Sequence, residues 1–458
     1  MRSMSFPRPI HAPESPRIAA AAGVLFLSLL VVGYAYGSAC HGECEIAHDL
    51  AEDGAGRIVV VGYGEGSGSG DVVLLRLTDD GMPDASFGDG GVVIGAGEGA
   101  AMDVSVTPDG TIVITQVSLT GITIRRYGPD GEVVAPVPNS AGDPDDRWPV
   151  ASWGKPNPMA VDRAGSVVAA QHLHGEVPRD QYVVLRRYLP DGTEDTPFRH
   201  SAAAAYGVGP PEDLEEESQA VREHYYSQAA GIVIDDVDRI VVAGETKAGM
   251  TVWRFCPDGA PDSSFDQDGV VSLGDSDDRY GGSSTAVAID EDGRLVVAGV
   301  SVIEGQLAMT IWCFASDGQP DRSFSDDGLV VFSMLLQEQE VATWTLAMGI
   351  DSASRIAVVG MIGQGTAVWR YLPDGTPDRS FGGTGYVALE EQDPRFGRFF
   401  GSAMIFDSSG RIVVAARKDG REYDFGVCRL LTDGSIDRSF GMDGLVVYDR
   451  GAGFWTGQ

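Results

Sequence analysis

The chain has few positive charges, few cysteines and, beyond its first 39 residues, no long apolar run. Only 33 Lys and Arg stand against 67 Asp and Glu, a formal net charge of -34 at pH 7. Phosphate-rich partners need clustered Lys and Arg, so this balance opposes nucleic acid and anionic lipid surfaces. An acidic exterior reads first as a solubilising one, and secondly favours cations or basic partners. The 5 cysteines match no metal-ligand spacing. Cys256, Cys313 and Cys428 fall at three different offsets inside repeated strands and read as buried fillers. Cys40 and Cys44 are close enough for a small local disulfide in an oxidising compartment. No Gly-x-Ser-x-Gly elbow is present, and the glycines near Gly62 match no dinucleotide fingerprint. Helical periodicity is missing too. Short runs rich in Val and Ile, bounded by Gly and Asp, read as strands.

The apolar run that does exist sits at the start. Arg2, Arg8 and Arg17 precede Ile18 to Val32, and Gly37, Ser38 and Ala39 follow. A basic start, a greasy middle and small residues have the layout of a secretory signal peptide. An uncleaved anchor is the alternative, since Ile18 to Ala39 could span a bilayer. Lipidation of Cys40 is a third, although Gly37 stands where a lipoprotein box usually has a larger aliphatic residue. The expected location is therefore secreted or cell-envelope: periplasmic, outer-membrane or extracellular. Any membrane contact is expected only through this segment or a lipid on Cys40.

The rest of the chain repeats. An Asp-Gly pair recurs at Asp80, Asp130, Asp191, Asp258, Asp317, Asp374 and Asp433, with spacings of 50, 61, 67, 59, 57 and 59 residues. Such a period means an array of supersecondary units. Each copy carries four strand signals: a small-residue run, a second strand after Asp-x-x-Gly, a longer amphipathic strand, and a brief valine-rich one. After the third strand come Asp-Gly, a second Asp and then Phe, as in Asp374, Asp378 and Phe381. The Phe reads as a plug under its turn. The second repeat lacks this text, and its fourth strand, near Glu132 to Val134, is doubtful. The expected fold is all-β, a seven-bladed β-propeller built from seven repeats. Residues 1–39 form the signal or anchor, 40–452 the propeller and 453–458 a tail. Two strand frames remain open. All four strands of a blade come from one repeat, or the valine-rich strand joins the next blade and Leu445 to Val447 latches the ring.

The segments GRLVVAG, WCFASDGQPDRSFSDDGLVV and WRYLPDGTPDRSFGGTGYVAL resemble the delta-60 repeat, a bacterial extracytoplasmic repeat, over about residues 45–448. The resemblance implies a propeller-like fold and secretion, and no catalytic residues.

Alternating strands put the regular turns on one face and the variable loops on the other, and variable loops on a rigid ring are where binding sits. The loops of note are Gly64 to Gly70, Ala135 to Pro158 and Pro197 to Ser227. Candidate ligand contacts are Trp148, Trp153, His224, Tyr225 and Tyr226, over blades two to four. His172 and His174, at i and i+2 just after a strand, with Glu176 nearby, are candidate metal ligands, with His200 and His224 to complete the site. Acidic turns at Asp235, Asp266 and Asp290 read as hairpin turns first and calcium loops second. No cofactor is required; calcium and zinc are the ones weighed. Arg76, Arg126, Arg187, Arg254, Arg370 and Arg429 each precede the turn Asp by four and read as one ion pair per blade, with Cys313 breaking the series. Trp253, Trp312 and Trp369 read as blade-to-blade packing. The leading function is a binding or scaffold module for an unidentified protein, peptide or glycan, placed ahead of an enzyme with that question left open. The alternative is a metal-dependent hydrolase or lactonase at the channel mouth, with Asp49, Asp103, His172 and His174 as its candidate groups.

Overall fold

The computed structural model describes residues 45–64, 70–95, 99–118, 121–134, 158–174, 181–198, 227–246, 249–273, 283–303, 306–332, 334–336, 339–341, 343–362, 365–419, 423–449 and 453–454. They form seven antiparallel blade sheets, each drawn from one repeat in simple sequential order. Blade 1 runs Glu45–Glu52, Ile58–Gly64, Asp71–Leu77 and Val92–Gly95. The innermost strands of blades 2 to 7 are Ala100–Val106, Met159–Val161, Ser227–Ile234, Ser283–Ile289, Thr343–Ile350 and Phe399–Phe406. The protein is a seven-bladed all-β propeller. Small residues dominate these inner strands because seven of them crowd around one axis.

The strand frame follows directly from the pairing. Leu445, Val446 and Val447 pair with Cys428, Val427 and Gly426 of their own blade. The valine-rich strand therefore does not latch onto blade 1. Gly453–Phe454 adds a short fifth strand beside Tyr448 and Asp449, so the last sheet runs into the expected tail. In blade 2 the expected fourth strand is reduced to a single bridge between Tyr127 and Val133 among the described residues.

Each hydrophobic core lies between two blades, not inside one. Val241, Ala243 and Val252 of blade 4 pack with Leu295, Val297 and Trp312 of blade 5. Trp253 likewise belongs to the core shared by blades 3 and 4, and Trp369 to that of blades 5 and 6. The tryptophans are blade-to-blade packing, as their spacing predicted. Cys313 and Cys428 are fully buried, whereas Cys256 keeps partial exposure. Burial pushes the Cys313 thiol up to about 12, which keeps it a neutral filler.

The recurring arginine does more than close its own turn. Its carboxylate partner is the second Asp, eight residues on, not the turn Asp four residues on. Arg370 Nε lies 2.8 Å from Asp378 Oδ2, Arg254 Nε 2.7 Å from Asp262 Oδ2 and Arg429 Nε 2.8 Å from Asp437 Oδ2. The same guanidinium lies over the plug ring, 4.6 Å from the Phe381 centroid and 4.5 Å from Phe440. It then reaches the next blade. Arg254 donates to Ser316 O at 2.5 Å, Arg370 to Thr432 O at 2.6 Å, and Arg429 closes the ring by donating to Asp79 O. The plug is also an interblade device. Phe381 packs where a Cβ on Gly434 would stand, at 3.1 Å, and Phe265 does the same at Gly318. Sequence reading placed the plug under its own turn; the structure seats it on the glycine of the following one.

Where Cys313 replaces the arginine, Arg294 takes over from the neighbouring turn. It donates to Asp321 Oδ2 at 3.2 Å and to Pro373 O of the next blade at 3.1 Å. Among the described residues, blade 2 has neither plug nor an acidic side chain bonded to its arginine. Its Arg126 donates to Gly165 O at 3.0 Å instead.

Candidate functional site

The inner strands set what faces the central channel, and register decides it. In blades 1, 2, 4, 5, 6 and 7 the inner strand carries a β-bulge. The residue just past the bulge lies four positions before the residue that opens the turn. That place holds Gly231, Ala286, Ala347 and Ala403 in blades 4 to 7, and Pro158 in blade 3. Blades 1 and 2 put Asp49 and Asp103 there.

The two carboxyl groups meet. Asp49 Oδ2 accepts from Val104 N of blade 2 at 2.9 Å, and Asp103 Oδ2 accepts from Met159 N of blade 3 at 2.8 Å. Each carboxyl also influences the titration of the other. Burial raises the Asp49 pKa above the usual range; burial and then the Asp49 charge raise Asp103 well above it. The pair titrates as a unit. Both keep some exposure although they stand on the innermost strands.

Their surroundings are specific. His48 is the bulged residue of blade 1, and its Nδ1 donates to Ala101 O of blade 2 at 2.8 Å. Burial lowers its pKa, so the ring is neutral near pH 7. Thr115 pairs directly with Asp103 across the blade 2 sheet. It is fully buried, and its hydroxyl has no hydrogen-bond partner among the described residues. The corresponding positions in the other blades are Val61, Ala170, Ala243, Ala298, Val359 and Ala415. Chemically, two acids on neighbouring inner strands with raised pKa values can exchange a proton or work as an acid and base.

The other expected residues lie elsewhere. Trp148, Trp153, Glu176, His200, His224, Tyr225 and Tyr226 lie outside the described residues. His172 and His174 belong to the second strand of blade 3, Val167–His174, not to a loop after it, because they continue its pairing with Val183 and Gln181. Their side chains are outside what is described. The acidic turns at Asp235 and Asp290 consume their first carboxylates internally, while Asp266 Oδ1 accepts from Gln319 Nε2 of blade 5 at 2.9 Å. Asp290 Oδ1 accepts from Asp292 N and Arg294 N, while Oδ2 takes Arg294 Nε at 2.6 Å. One carboxylate trio, Glu45, Asp424 and Asp449, brings ligand oxygens within 4.8 Å of one another, and each also engages a further neighbour. A shallow cleft of about 490 Å³ opens between Tyr386 of blade 6 and Gly434 of blade 7. Sequence reading named Asp49 and Asp103 and missed Thr115. Aligning the blades eight residues past the turn opener would have exposed that lone hydroxyl in a column of Val and Ala.

Residues 56–87, 291–324, 355–381 and 408–440 match the family described as "Domain of unknown function (DUF5122) beta-propeller". No curated protein matches the chain. Among solved structures, puromycin hydrolase is similar at 15% identity and TM-score 0.47, covering 92% of this chain and 55% of its own. The chain thus spans little more than half of that protein. The β-propeller domain of the Trilobed protease from Pyrococcus furiosus is similar at 9% identity and TM-score 0.43, covering 85% of this chain and 94% of its own. A polysaccharide lyase, an ulvan lyase, is similar at 10% identity and TM-score 0.45, covering 72% and 80%. Similarities of this size assign no activity. By its own sheets and by four matched segments, the chain is a β-propeller repeat protein of seven blades, with segments matching a propeller family whose function is unknown.

Proposed function

We propose that the protein is a secreted or cell-envelope binding module, a delta-60-type propeller that presents its variable loops to a peptide or glycan. One observation carries this reading: the repeated polar groups of the turn face are spent on the scaffold. Arg, Asp and Phe of blades 1, 3, 4, 6 and 7 are tied into clasps between neighbours. What repeats is therefore structural, and recognition falls to what does not repeat, the loops of the opposite face. Trp148, Trp153, His224, Tyr225 and Tyr226 are the contacts proposed there, with His172, His174 and Glu176 as a metal-binding group. Glycan and peptide arrays probed with the purified protein test the reading. A specific hit should be lost in Trp148→Ala/Trp153→Ala or in Tyr225→Ala/Tyr226→Ala. An array without hits, or hits that survive both variants, would sink it.

A second reading, a metal-dependent hydrolase or lactonase, draws its support from the convergence of Asp49 and Asp103 in the channel. A screen of ester and lactone substrates with and without added divalent metal separates the two. Metal-dependent turnover that vanishes in Asp49→Asn would favour the enzyme.

A further inference from the structure

The outer edge of blade 2 departs from its sisters in one connected way. In blades 1, 4, 6 and 7 a single stretch after the Asp-Gly turn supplies an acid for the strand-three arginine, a plug ring for its guanidinium and the fourth strand. In blade 4 these are Asp262, Phe265 and Val270–Leu273. In blade 2 the place of the acid is held by Val134, whose N donates to Arg126 O just as Asp262 N donates to Arg254 O. Among the described residues no ring lies over Arg126, and the sheet stops at its third strand, Gly121–Tyr127.

What this leaves is a buried positive charge. Arg126 keeps 8% exposure, and its Nε has no hydrogen-bond partner. Its Nη2 donates only to carbonyls of blade 3, Gly165 O at 3.0 Å and Leu189 O at 3.5 Å. The acids of the surrounding turns are committed to those turns. Asp162 Oδ1 accepts from Ala164 N and Ser166 N, Asp109 Oδ1 from Thr111 N, and Asp191 Oδ1 from Thr193 N. A buried guanidinium is ordinarily paired, so one without a carboxylate calls for an anionic partner. Its seat is also less closed than the others, since Arg76 keeps 1% exposure, Arg254 2% and Arg370 0%. Val133 and Val134, on the stretch that pairs with Tyr127 and Arg126, are each 49% exposed.

We propose that this edge of blade 2 binds a peptide segment of a partner protein, one that carries a carboxylate three residues ahead of an aromatic ring and a strand-forming run behind it. The sister blades specify that ligand. A carboxylate oxygen belongs 2.7 Å from the arginine Nε, as at Arg254, and a ring centroid 4.6 Å from its Cζ. Behind them the strand-three backbone continues outward, Arg254 N donating to Gly269 O at 2.8 Å; Arg126 N has no such partner among the described residues. An incoming strand would extend the sheet by edge addition. A flat guanidinium with a free N–H matches a carboxylate in direction as well as charge, and the ring adds a face that inorganic anions lack. The negative charge of the whole chain acts over longer distances and is screened at ordinary ionic strength. The site lies on the turn side of the ring, so it stands apart from both the variable-loop reading and the hydrolase reading.

The test is a fluorescence-anisotropy titration of the full chain against a labelled synthetic peptide copying Pro261–Leu273, the stretch that completes blade 4. The expected result is saturable one-to-one binding. Asp262→Asn or Phe265→Ala in the peptide should each weaken it by about tenfold or more. Arg126→Gln in the protein should remove most of the binding, and so should Arg126→Lys, which keeps the charge and loses the Nε–H. The peptide variants are read against the unaltered protein, so they decide the matter even if position 126 tolerates no change. Absence of saturable binding, equal affinity for the two peptide variants and their parent, or displacement by equimolar inorganic phosphate would each overturn the proposal. So would binding that appears only in Asp145→Asn/Trp148→Ala, an acid and a ring with the same spacing in this chain, because the seat would then belong to the chain itself.

Discussion

Arg370 shows what a charged residue must do to live inside this protein. Its side chain is 0% exposed, and it is held by Asp378, by Thr432 O and by the face of Phe381. Burial alone would raise Asp378, but hydrogen bonds from Ser380 and the Arg370 charge outweigh it and hold the carboxyl below its usual range. Removing one partner leaves the other buried and uncompensated. Arg370→Ala should therefore cost about 3–5 kcal/mol, read as a lowered denaturation midpoint. Blade 5 gives a sharper comparison. Arg57 shares Asp84 with Arg76, whereas Arg294 serves Asp321 without an arginine at position 313. Arg294→Ala should cost on the order of 2 kcal/mol, and Arg57→Ala less than about 1 kcal/mol.

The channel acids make a prediction of the opposite sign. Their folded pKa values are raised, so the folded state binds the proton more tightly than the unfolded chain does. That contribution is fully present below the unfolded pKa, near pH 4, and is lost as pH rises toward the folded values. Asp103→Asn removes the penalty. The variant should melt higher than the unaltered protein at pH 8, with the difference closing near pH 4. An equal shift at both pH values would count against the raised pKa of Asp103.

At the level of the element, the turn glycines face two demands, which the Asp-Gly turn at Gly434 and the Asp-x-x-Gly turn at Gly410 separate. Gly434 has φ +87° and the Phe381 ring 3.1 Å from its missing Cβ. Gly410 has φ +72° and nothing within 4 Å. Both alanine substitutions incur the left-handed backbone cost of about 1 kcal/mol, but Gly434→Ala must also displace the plug. It should cost at least about 1 kcal/mol more than Gly410→Ala, measured by paired thermal melts.

The same turn marks the limit of what the sequence revealed. Strand text, turn text and their period are local, so the blades and the grouping of regular turns on one face were legible. The partner of each arginine was not, because Ser316 O and Thr432 O lie in the next repeat and carry no side-chain signature. The strand frame was ambiguous for a similar reason: Leu445 to Val447 read equally well against either neighbour. Asp49 and Asp103 were visible as inward candidates, yet their meeting depends on bulges that shift register by one residue. Thr115 was hidden by its ordinariness.

Across the whole molecule the seams are not equal. The core between blades 6 and 7 gathers Phe381, Leu389, Phe396 and Phe399 along with many aliphatic residues. Among the described residues, the core between blades 2 and 3 is the smallest, built on Val113, Ile124, Met159, Val167, Ala169 and Tyr188. That seam also lacks plug and acidic partner among the described residues. Hydrogen exchange should therefore be fastest in the inner strands 100–106 and 158–161, and slower in 399–406. Fastest exchange at the junction of blades 7 and 1 would contradict this ranking.

Every clasp points the same way round: the arginine of one blade grips the carbonyl of the blade that follows. Even the junction of last to first obeys this, through Arg429 and Asp79. A ring joined in one direction has a polarity, and each repeat carries both halves of the joint, a hook and an eye. A duplicated repeat would arrive already able to dock on either side. The propeller can thus have grown by copying single repeats, with the number of blades set by the curvature at which the final hook finds the first eye.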